Sequence, residues 1–592
     1  MKSRLILIFM VFVGLWTVLI LRAAYLQFLP HERLTNLQNR QFQTIVNLEA
    51  RRGPILDRQG RDLALSTTTY SLYADPKILE GKRNVARKLA KELDDTYEVI
   101  LNKIKDPSRR FVWIQRWMPQ EKMQKIKAMK IRGLSFVEEW RRVYPNDSLL
   151  AHTLGFMGNE GQGLEGVELA YNKDLLGDHK KIIVRRDARG RPLMAEGLLF
   201  TENPDGDEIK LTIDSELQYA LENELSSAVK EFEAGSAYGI ILDAKTSAIR
   251  AIATAPAFDL NKAQRVAPEI RRNRTITDSY EPGSTMKTFL IATALREKLI
   301  QPNTKFFCEN GAMKVGDRII REAEAREKFG WMTVTEILAV SSNIGSTKIA
   351  FEVGPEKLRQ GLEDFGFGHK SGVDLPGEVR GTVLPLPWRQ HLLANISFGH
   401  GVTASPLQIA NAYAAIASGG TLHQPYIVES IRRHETGEVI ETKPKVIRQV
   451  LTKEDAEKMR MILTAVTGKG GSGINARVNG FLVGGKTGTA QKVNPTGRGY
   501  IKGGYISSFG GFIPAHDPQF VIYVAIDEPK KGYYGAQLAA PMFSRIASYA
   551  VRREGIAPLI LSEETSPQRG PAAAIAKLKN ASLVKKTTLR TS

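Results

Sequence analysis

Ser284 and Lys287 stand three residues apart in the stretch Tyr280-Glu281-Pro282-Gly283-Ser284-Thr285-Met286-Lys287. A Pro-Gly turn runs into the serine, and apolar residues recur behind it at helical spacing, at Met286, Phe289, Leu290 and Leu295. The spacing predicts a helix starting at Ser284, with Lys287 on the same face one turn deeper. A hydroxyl beside an amine, at a helix end whose unpaired N–H groups favour negative charge, can be activated as a nucleophile. The competing reading is a capping serine with a surface lysine. Ser-x-x-Lys is short enough to recur, and Ser582-Leu583-Val584-Lys585 also fits it.

Two further stretches carry chemistry. In Val340-Ser341-Ser342-Asn343-Ile344-Gly345 a hydroxyl and an amide two residues apart can project from one loop into one cleft. The plainer alternative is a turn or helix cap. In Gly484-Gly485-Lys486-Thr487-Gly488-Thr489 the glycines let another backbone approach closely, and lysine and threonine can bind a carboxylate. The plainer alternative there is a lysine on a glycine-rich hairpin. The Gly-x-x-x-x-Gly-Lys-Ser/Thr spacing of a phosphate loop is missing.

These residues need elements to hold them. Asp214 caps a predicted helix to about residue 232. Strands are predicted over 236–242 and 248–254, then a long, mainly helical region to about 467. Three late strands follow, over 481–486, 505–513 and 520–526, and a helix over 540–552. Two early strands, three late ones and flanking helices predict an α+β domain: an antiparallel five-stranded sheet flanked by helices, with an inserted helical lobe. Residues 30–210 read as an elongated, mixed α/β pedestal, with helices over 82–105 and 120–129 and a turn at 163–168 leading into a helix. Glu165 and Glu168 in that turn read as solvated helix-start carboxylates. Residues 51–61 offer no nucleophile, and their charges can pair to brace a fold. Residues 202–207 read as a polar linker.

The 592 residues suffice for two or three domains, and 42% hydrophobic with 25% charged residues describes a globular protein with real cores. A net charge of +20 suits a membrane surface or an anionic polymer. No basic patch interleaved with aromatics and no nucleic-acid motif is present, so nucleic acid is not the expected partner. Cys308 is the single cysteine, so an intrachain disulfide is excluded. Residues 5–21 form an uncharged apolar run which, extended to residue 29, can span a bilayer as a helix. Its length, and Arg22 where a cleavage site would begin, favour an uncleaved anchor over a cleaved signal peptide. Lys2 and Arg4 place residues 1–4 in the cytoplasm, and the bulk of the chain outside. The expected division is thus anchor 5–29, pedestal 30–210, catalytic domain 211–555 and a basic, disordered tail 556–592.

Ser-x-x-Lys, Ser-x-Asn and Lys-Thr-Gly occur in that order, 57 and then 145 residues apart. That joint pattern is similar to the penicillin-recognising acyl-serine transferases. The wider sequence resembles a class B penicillin-binding protein, a membrane-anchored D,D-transpeptidase of peptidoglycan synthesis. Residues 52–60 resemble the signature opening that family's N-terminal domain, and residues 163–168 its second. Residues 273–284, 486–498 and 533–541 resemble the division-specific (FtsI) branch. Residues 321–327, just before the Ser341 loop, depart from it in being unusually charged.

The resemblance implies a mechanism. Ser284 attacks the penultimate D-Ala of a stem peptide ending D-Ala-D-Ala, and neutral Lys287 takes its proton. Lys287 needs a lowered pKa for this, by burial or by the charge of Lys486. Ser341 relays a proton to the departing D-Ala, and Asn343 binds the donor and holds Lys287. Lys486 and Thr487, with Gly488 in the same strand, hold the terminal carboxylate. The N–H groups of Ser284 and Thr489 form an oxyanion hole. The resemblance implies no metal or cofactor, acylation by β-lactams, and an FtsW-type membrane glycosyltransferase and other divisome proteins as partners. Elongation- or sporulation-specific relatives, and a membrane-anchored β-lactam receptor or scaffold, are the alternatives. A class A β-lactamase, a D,D-carboxypeptidase and a bifunctional synthase share the chemistry but fit the length and N-terminal motifs less well.

Overall fold

The computed structural model describes residues 2–28, 43–48, 50–158, 161–177, 180–185, 205–324, 326–494, 497 and 499–559. Most of the expected tail, the decoy at Ser582, residues 30–42 of the pedestal and part of the 202–207 linker lie outside these residues. The chain divides into two compact units, Met1–Arg52 with Leu176–Gly206, and Gly53–Leu175 with Asp207–Ser592.

The first unit contains the helix Lys2–Phe28, apolar on all its faces over the span expected to cross a bilayer. Among the described residues it is the one helix long and apolar enough to do so. The same unit pairs strand Gln43–Leu48 antiparallel with Lys180–Arg185.

The second unit begins with the pedestal. Strand Asp62–Ala74 pairs with both Leu134–Val143 and Val112–Met118. Helices Lys82–Leu93, Tyr97–Ile104 and Gln120–Ala128 close a core of Leu72, Leu89, Ile100, Ile104 and Ile114 against it. The helix expected over 82–105 is therefore two. Asp94, with φ 53°, ends the first, and Asp95-Thr96 form the turn between them. In the 51–61 segment the Asp57 carboxylate accepts from Arg61 Nε (2.8 Å), from the backbone N–H of Gln59 and Arg61, and from Ser215 Oγ (2.6 Å). These charges do brace the fold, and they reach beyond their own segment.

Glu168 corrects the sequence reading. It is fully buried, with Arg142 Nε donating to it at 2.7 Å, and Arg142 Nη1 also donates to the Gly53 carbonyl. A carboxylate this deep requires its cation, and removing one partner of such a pair costs about 3–5 kcal/mol. Arg142→Leu is accordingly expected to lower the unfolding free energy measured by urea titration by an amount in that range, and a loss under about 0.5 kcal/mol would place the pair among surface bridges. Glu165 is half-exposed and meets Arg271 at 2.8 Å.

The catalytic region follows in chain order as α1 (Ser215–Glu231), β1 (Ser236–Asp243), β2 (Ile249–Ala255), α2 (Lys287–Arg296), α3 (Val334–Val340), α4 (Asn343–Val353), α5 (Pro406–Ala417), α6 (Lys453–Thr467), β3 (Gly484–Val493), β4 (Tyr500–Ile513), β5 (Phe520–Asp527) and α7 (Ala539–Arg553). Among the described residues the five strands form one antiparallel sheet in the order β3-β4-β5-β1-β2. Both faces are covered, which is why all eight residues of β5 are buried. Its side chains alternate between two cores. Ile522, Val524 and Ile526 join Leu217, Leu221 and Leu225 of α1 and Phe543 and Ile546 of α7. Val521, Tyr523 and Ala525 join α5 and the helical lobe. Asp214 caps α1, its carboxylate accepting from Glu216 N and Leu217 N.

The expected five-stranded sheet, flanking helices and helical lobe are thus present. A second sheet was not expected. It runs Val439–Glu441, Val428–Arg432, Glu208–Leu211, Ile55–Leu56, Asp62–Ala74, Val112–Met118, with Leu134–Val143 also on Asp62–Ala74. Glu208–Leu211 thus pairs with a pedestal strand on one side and a strand from beyond α5 on the other.

Candidate active site

The serine lies on a turn forced against β3. Gly283 has φ +58°, a conformation side chains disfavour, and one 3₁₀ turn, Gly283–Met286, leads into α2. Thr285 Oγ1 donates back to the Pro282 carbonyl at 2.9 Å and tightens the turn. A methyl carbon at Gly283 would stand 2.9 Å from the Thr489 carbonyl oxygen. A methyl carbon at Gly488 would stand 2.4 Å from Ser508 Oγ, 2.9 Å from Thr285 Cγ2 and 3.1 Å from the Pro282 carbonyl oxygen. Glycine is required at Gly488 for close approach alone, and at Gly283 for approach and φ together. Because β3 is an edge strand, backbone groups of alternate residues face away from β4. The Thr489 carbonyl faces the serine turn, and its N–H points to the same side.

Lys287, one turn into the helix, is fully buried. Its Nζ meets the Ser341 carbonyl at 2.5 Å, Asn343 Oδ1 at 2.8 Å and Ser341 Oγ at 3.2 Å. Ser284 Oγ is not among these partners. Burial pulls the Lys287 pKa down to about 7, against the opposing charges of Glu322 and Glu327. Of the two causes the sequence left open, burial is the one that acts on Lys287. Lys486 is also fully buried, its Nζ donating to Thr487 O at 3.2 Å and Thr487 Oγ1 at 3.0 Å. Burial first, and the Lys287 charge second, hold its pKa well below the ordinary lysine value.

Both readings of the Ser-Ser-Asn stretch hold at once. Ser341 ends α3 in the left-handed region, φ 68°, and Asn343 opens α4. Ser342, between them, turns inward and caps α4 by accepting from Gly345 N at 3.0 Å. The cap leaves its two neighbours free to face the cleft.

The fold brings Ser284, Ser341, Asn343, Thr487 and Thr489 to the wall of one cleft of about 820 Å³. Lys287 and Lys486 lie beneath that wall, and Gly488 packs behind the serine turn. The charged stretch 321–327 divides in two. Glu324, Arg326 and Glu327 line the cleft, whereas Glu322 is buried behind Ser342.

Sequence reasoning missed several residues here. Glu281 Oε2 lies 2.9 Å from His400 Nδ1 and accepts from Tyr500 Oη at 3.0 Å, while Gly401 N donates to Glu281 Oε1 at 2.7 Å. This cluster ties the residues before Ser284 to the loop after the helix Gln390–Ser397 and to the start of β4. The sequence signal was a histidine between two glycines, Gly399-His400-Gly401. Tyr505, Tyr533 and Tyr534 stack along another wall, with ring centroids 4.5 and 4.3 Å apart in successive pairs. Chemically the site offers a serine hydroxyl, a buried lysine with a pKa near 7, and a second buried lysine beside a threonine hydroxyl. Those are the parts of an acyl-transfer site working through a covalent ester.

A serine turn on the edge of a five-stranded antiparallel sheet, with this lysine and this loop, defines a penicillin-recognising serine acyltransferase. Residues 237–548 match the family model described as the penicillin-binding protein transpeptidase domain, and residues 47–211 match the penicillin-binding protein dimerisation domain. The chain belongs to the penicillin-binding proteins that join these two domains, the class B arrangement. It is 33% identical over 566 residues to stage V sporulation protein D of Bacillus subtilis, covering 94% of this chain and 86% of that protein. It is 33% identical over 563 residues to the probable peptidoglycan D,D-transpeptidase PenA of Neisseria gonorrhoeae, covering 94% of each. To the peptidoglycan D,D-transpeptidase FtsI of Escherichia coli it is 32% identical over 547 residues, covering 91% of this chain and 89% of that one. The crystal structure of penicillin-binding protein 3 of Mycobacterium tuberculosis with aztreonam superposes with a TM-score of 0.67 at 26% identity, over 87% of this chain and 98% of that one.

Proposed function

We propose that this chain is a membrane-anchored peptidoglycan D,D-transpeptidase that cross-links stem peptides at the division septum. The observation that carries the chemistry is buried Lys287, with a pKa near 7, bonded to Ser341 and Asn343 one turn behind Ser284. Ser284 Oγ attacks the carbonyl carbon of the penultimate D-Ala while Lys287 Nζ takes its proton. The N–H groups of Ser284 and Thr489 receive the negative oxygen that forms. Lys486 and Thr487 hold the terminal carboxylate, which favours the charged form of Lys486. The C–N bond breaks, Ser341 passes a proton to the leaving D-Ala, and an ester remains on Ser284. The amine of a second stem peptide attacks that ester, forms the cross-link and restores the serine. A β-lactam enters the same first step and leaves an ester that has no departing amine.

The working division of the chain is the anchor 5–29, the pedestal 30–210 and the catalytic domain 211–555. Lys2 and Arg4 support an N-terminus in the cytoplasm and a catalytic domain on the outer side of that membrane. The similarity to E. coli FtsI supports the division role, and with it an FtsW-type glycosyltransferase and divisome partners.

Intact protein incubated with a fluorescent penicillin is expected to carry one stable adduct, located at Ser284 by peptide mass spectrometry. With a D-Ala-D-Ala donor and an amine acceptor it is expected to release D-Ala and form the new amide. An adduct elsewhere removes Ser284 from its role. Rapid penicillin hydrolysis points to a β-lactamase, and D-Ala release without amide formation to a carboxypeptidase. Depletion in the native cell is expected to give filaments. Round cells would assign elongation instead, and normal growth with defective spores would assign the role named for the B. subtilis relative.

A further inference from the structure

We propose that Glu322 is a positioning residue for acyl transfer. Its buried carboxylate clamps the start of α4, so that Asn343 presents its amide oxygen to Lys287 and Ser341 keeps its left-handed turn. The inference rests on Ser284 and Lys287 acting as nucleophile and base.

Glu322 follows directly on the strand Arg318–Arg321 and is only 7% exposed. Its Oε1 accepts from Ser342 Oγ at 2.6 Å, and its Oε2 accepts from the Asn343 backbone N–H at 2.6 Å. Both carboxylate oxygens are thus spent on two consecutive residues of the catalytic loop. The residue before it completes the grip, since the Arg321 carbonyl accepts from Asn343 Nδ2 at 2.9 Å. A side-chain amide has one nitrogen and one oxygen, so this bond fixes which atom faces Lys287. Asn343 Oδ1 is left to receive Lys287 Nζ at 2.8 Å. The carboxylate thus sits at the N-terminal end of an eleven-residue helix, where backbone N–H groups seek acceptors. The bond from Ser342 Oγ to Glu322 holds the residue that follows Ser341, whose φ is 68°.

The same carboxylate sets the charge balance around the base. Glu322 and Glu327 face Lys287 from beyond the strand Arg318–Arg321, and Lys486 faces it from β3. On its other side Glu322 faces the buried Cys308 thiol, which also feels Lys348 and Glu309. Burial alone would carry the Lys287 pKa further down, and the two carboxylates oppose it. Glu322 thus acts with Glu327 to oppose the effect of burial on the base.

The test is the rate of acylation by fluorescent penicillin against pH, on full-length protein, for wild type, Glu322→Gln and Glu322→Ala, each with its melting temperature. Glu322→Gln is nearly isosteric and can keep one bond to the Asn343 N–H. Its rising limb is expected to move about one unit toward lower pH. Glu322→Ala loses both bonds, and its acylation is expected to fall at least about tenfold at every pH. A role limited to stability would change melting temperature and leave the limb in place. Wild-type rates and limbs in both variants, with the wild-type adduct still at Ser284, would overturn the role of Glu322 and leave the proposed function standing. A glutamine variant as slow as the alanine one, with an unmoved limb, would overturn the charge role. Absence of an adduct at Ser284 in the wild type would instead overturn the proposed function and this inference together.

Discussion

Lys287→Met is expected to slow acylation of Ser284 by a β-lactam about 10²–10⁴-fold and to abolish the rise of that rate with pH. Methionine has nearly the length of the lysine stem, so the fully buried site stays filled and the fold should persist. What is lost is an amine that changes its charge near pH 7. The hydrogen-bond inventory shows what that change does. An ammonium has three donors and no acceptor, and three oxygens surround Lys287 Nζ. A neutral amine keeps two donors, which serve the shorter contacts to Ser341 O (2.5 Å) and Asn343 Oδ1 (2.8 Å). Its lone pair is then free to accept a proton, which restores the ammonium and its third donor, the one that meets Ser341 Oγ at 3.2 Å. Proton transfer from Ser284, and passage through Ser341 to a leaving group, follow from one nitrogen changing state. In the wild type the rate should therefore rise as pH passes upward through about 7, as the fraction of neutral Lys287 grows. The opposite slope would mean that the ammonium is the active form and that a different base takes the serine proton. Stopped-flow acylation between pH 5.5 and pH 9, about 1.5–2 units either side of that value, gives the slope directly.

Elements with strong periodicity were legible from the chain alone. The strands 236–242, 248–254 and 520–526 matched β1, β2 and β5 to within a residue or two, because both faces of the sheet are covered and the apolar runs are continuous. The candidate site was legible through joint order, since each motif of three or four residues is weak but the three together are rare. What could not be read is the set of residues whose meaning depends on a distant partner. Glu168 looks like a helix-start carboxylate in its own stretch, and only Arg142 on a neighbouring strand makes it a core residue. Glu322 looks like one charge in a charged run, and its partners lie about twenty positions on, across a chain reversal. The second sheet escaped for the same reason. Glu208–Leu211 is a four-residue strand in a polar context, and its two neighbours come from the pedestal and from beyond α5, far from it in sequence. Non-local pairing leaves no periodic mark on a strand that short.

The register of β3 against the serine turn leads to a second large effect. Gly488→Ala is expected to reduce acylation of Ser284 about 100-fold while costing no more stability than a comparable change elsewhere on the strand. The new methyl would meet Ser508 Oγ at 2.4 Å, Thr285 Cγ2 at 2.9 Å and the Pro282 carbonyl oxygen at 3.1 Å, so something must move. β3 cannot move easily, because Gly484 to Gln491 pair in unbroken register with β4. The serine turn is held less firmly, by the Thr285–Pro282 bond and the Glu281 cluster, so it is the element that yields. A displacement near 1 Å there carries Ser284 away from both Lys287 and the Thr489 N–H, which is enough for a loss of that size. Gly484→Ala is the matched control. Its methyl would strike the Phe512 ring at 2.5 Å, on the same strand but away from the serine turn. Both variants should lose similar melting temperature, and only Gly488→Ala should lose acylation out of proportion. Equal acylation by the two would mean that Ser284 is positioned by α2 alone, and that the close approach of turn and strand serves packing without setting the reaction geometry.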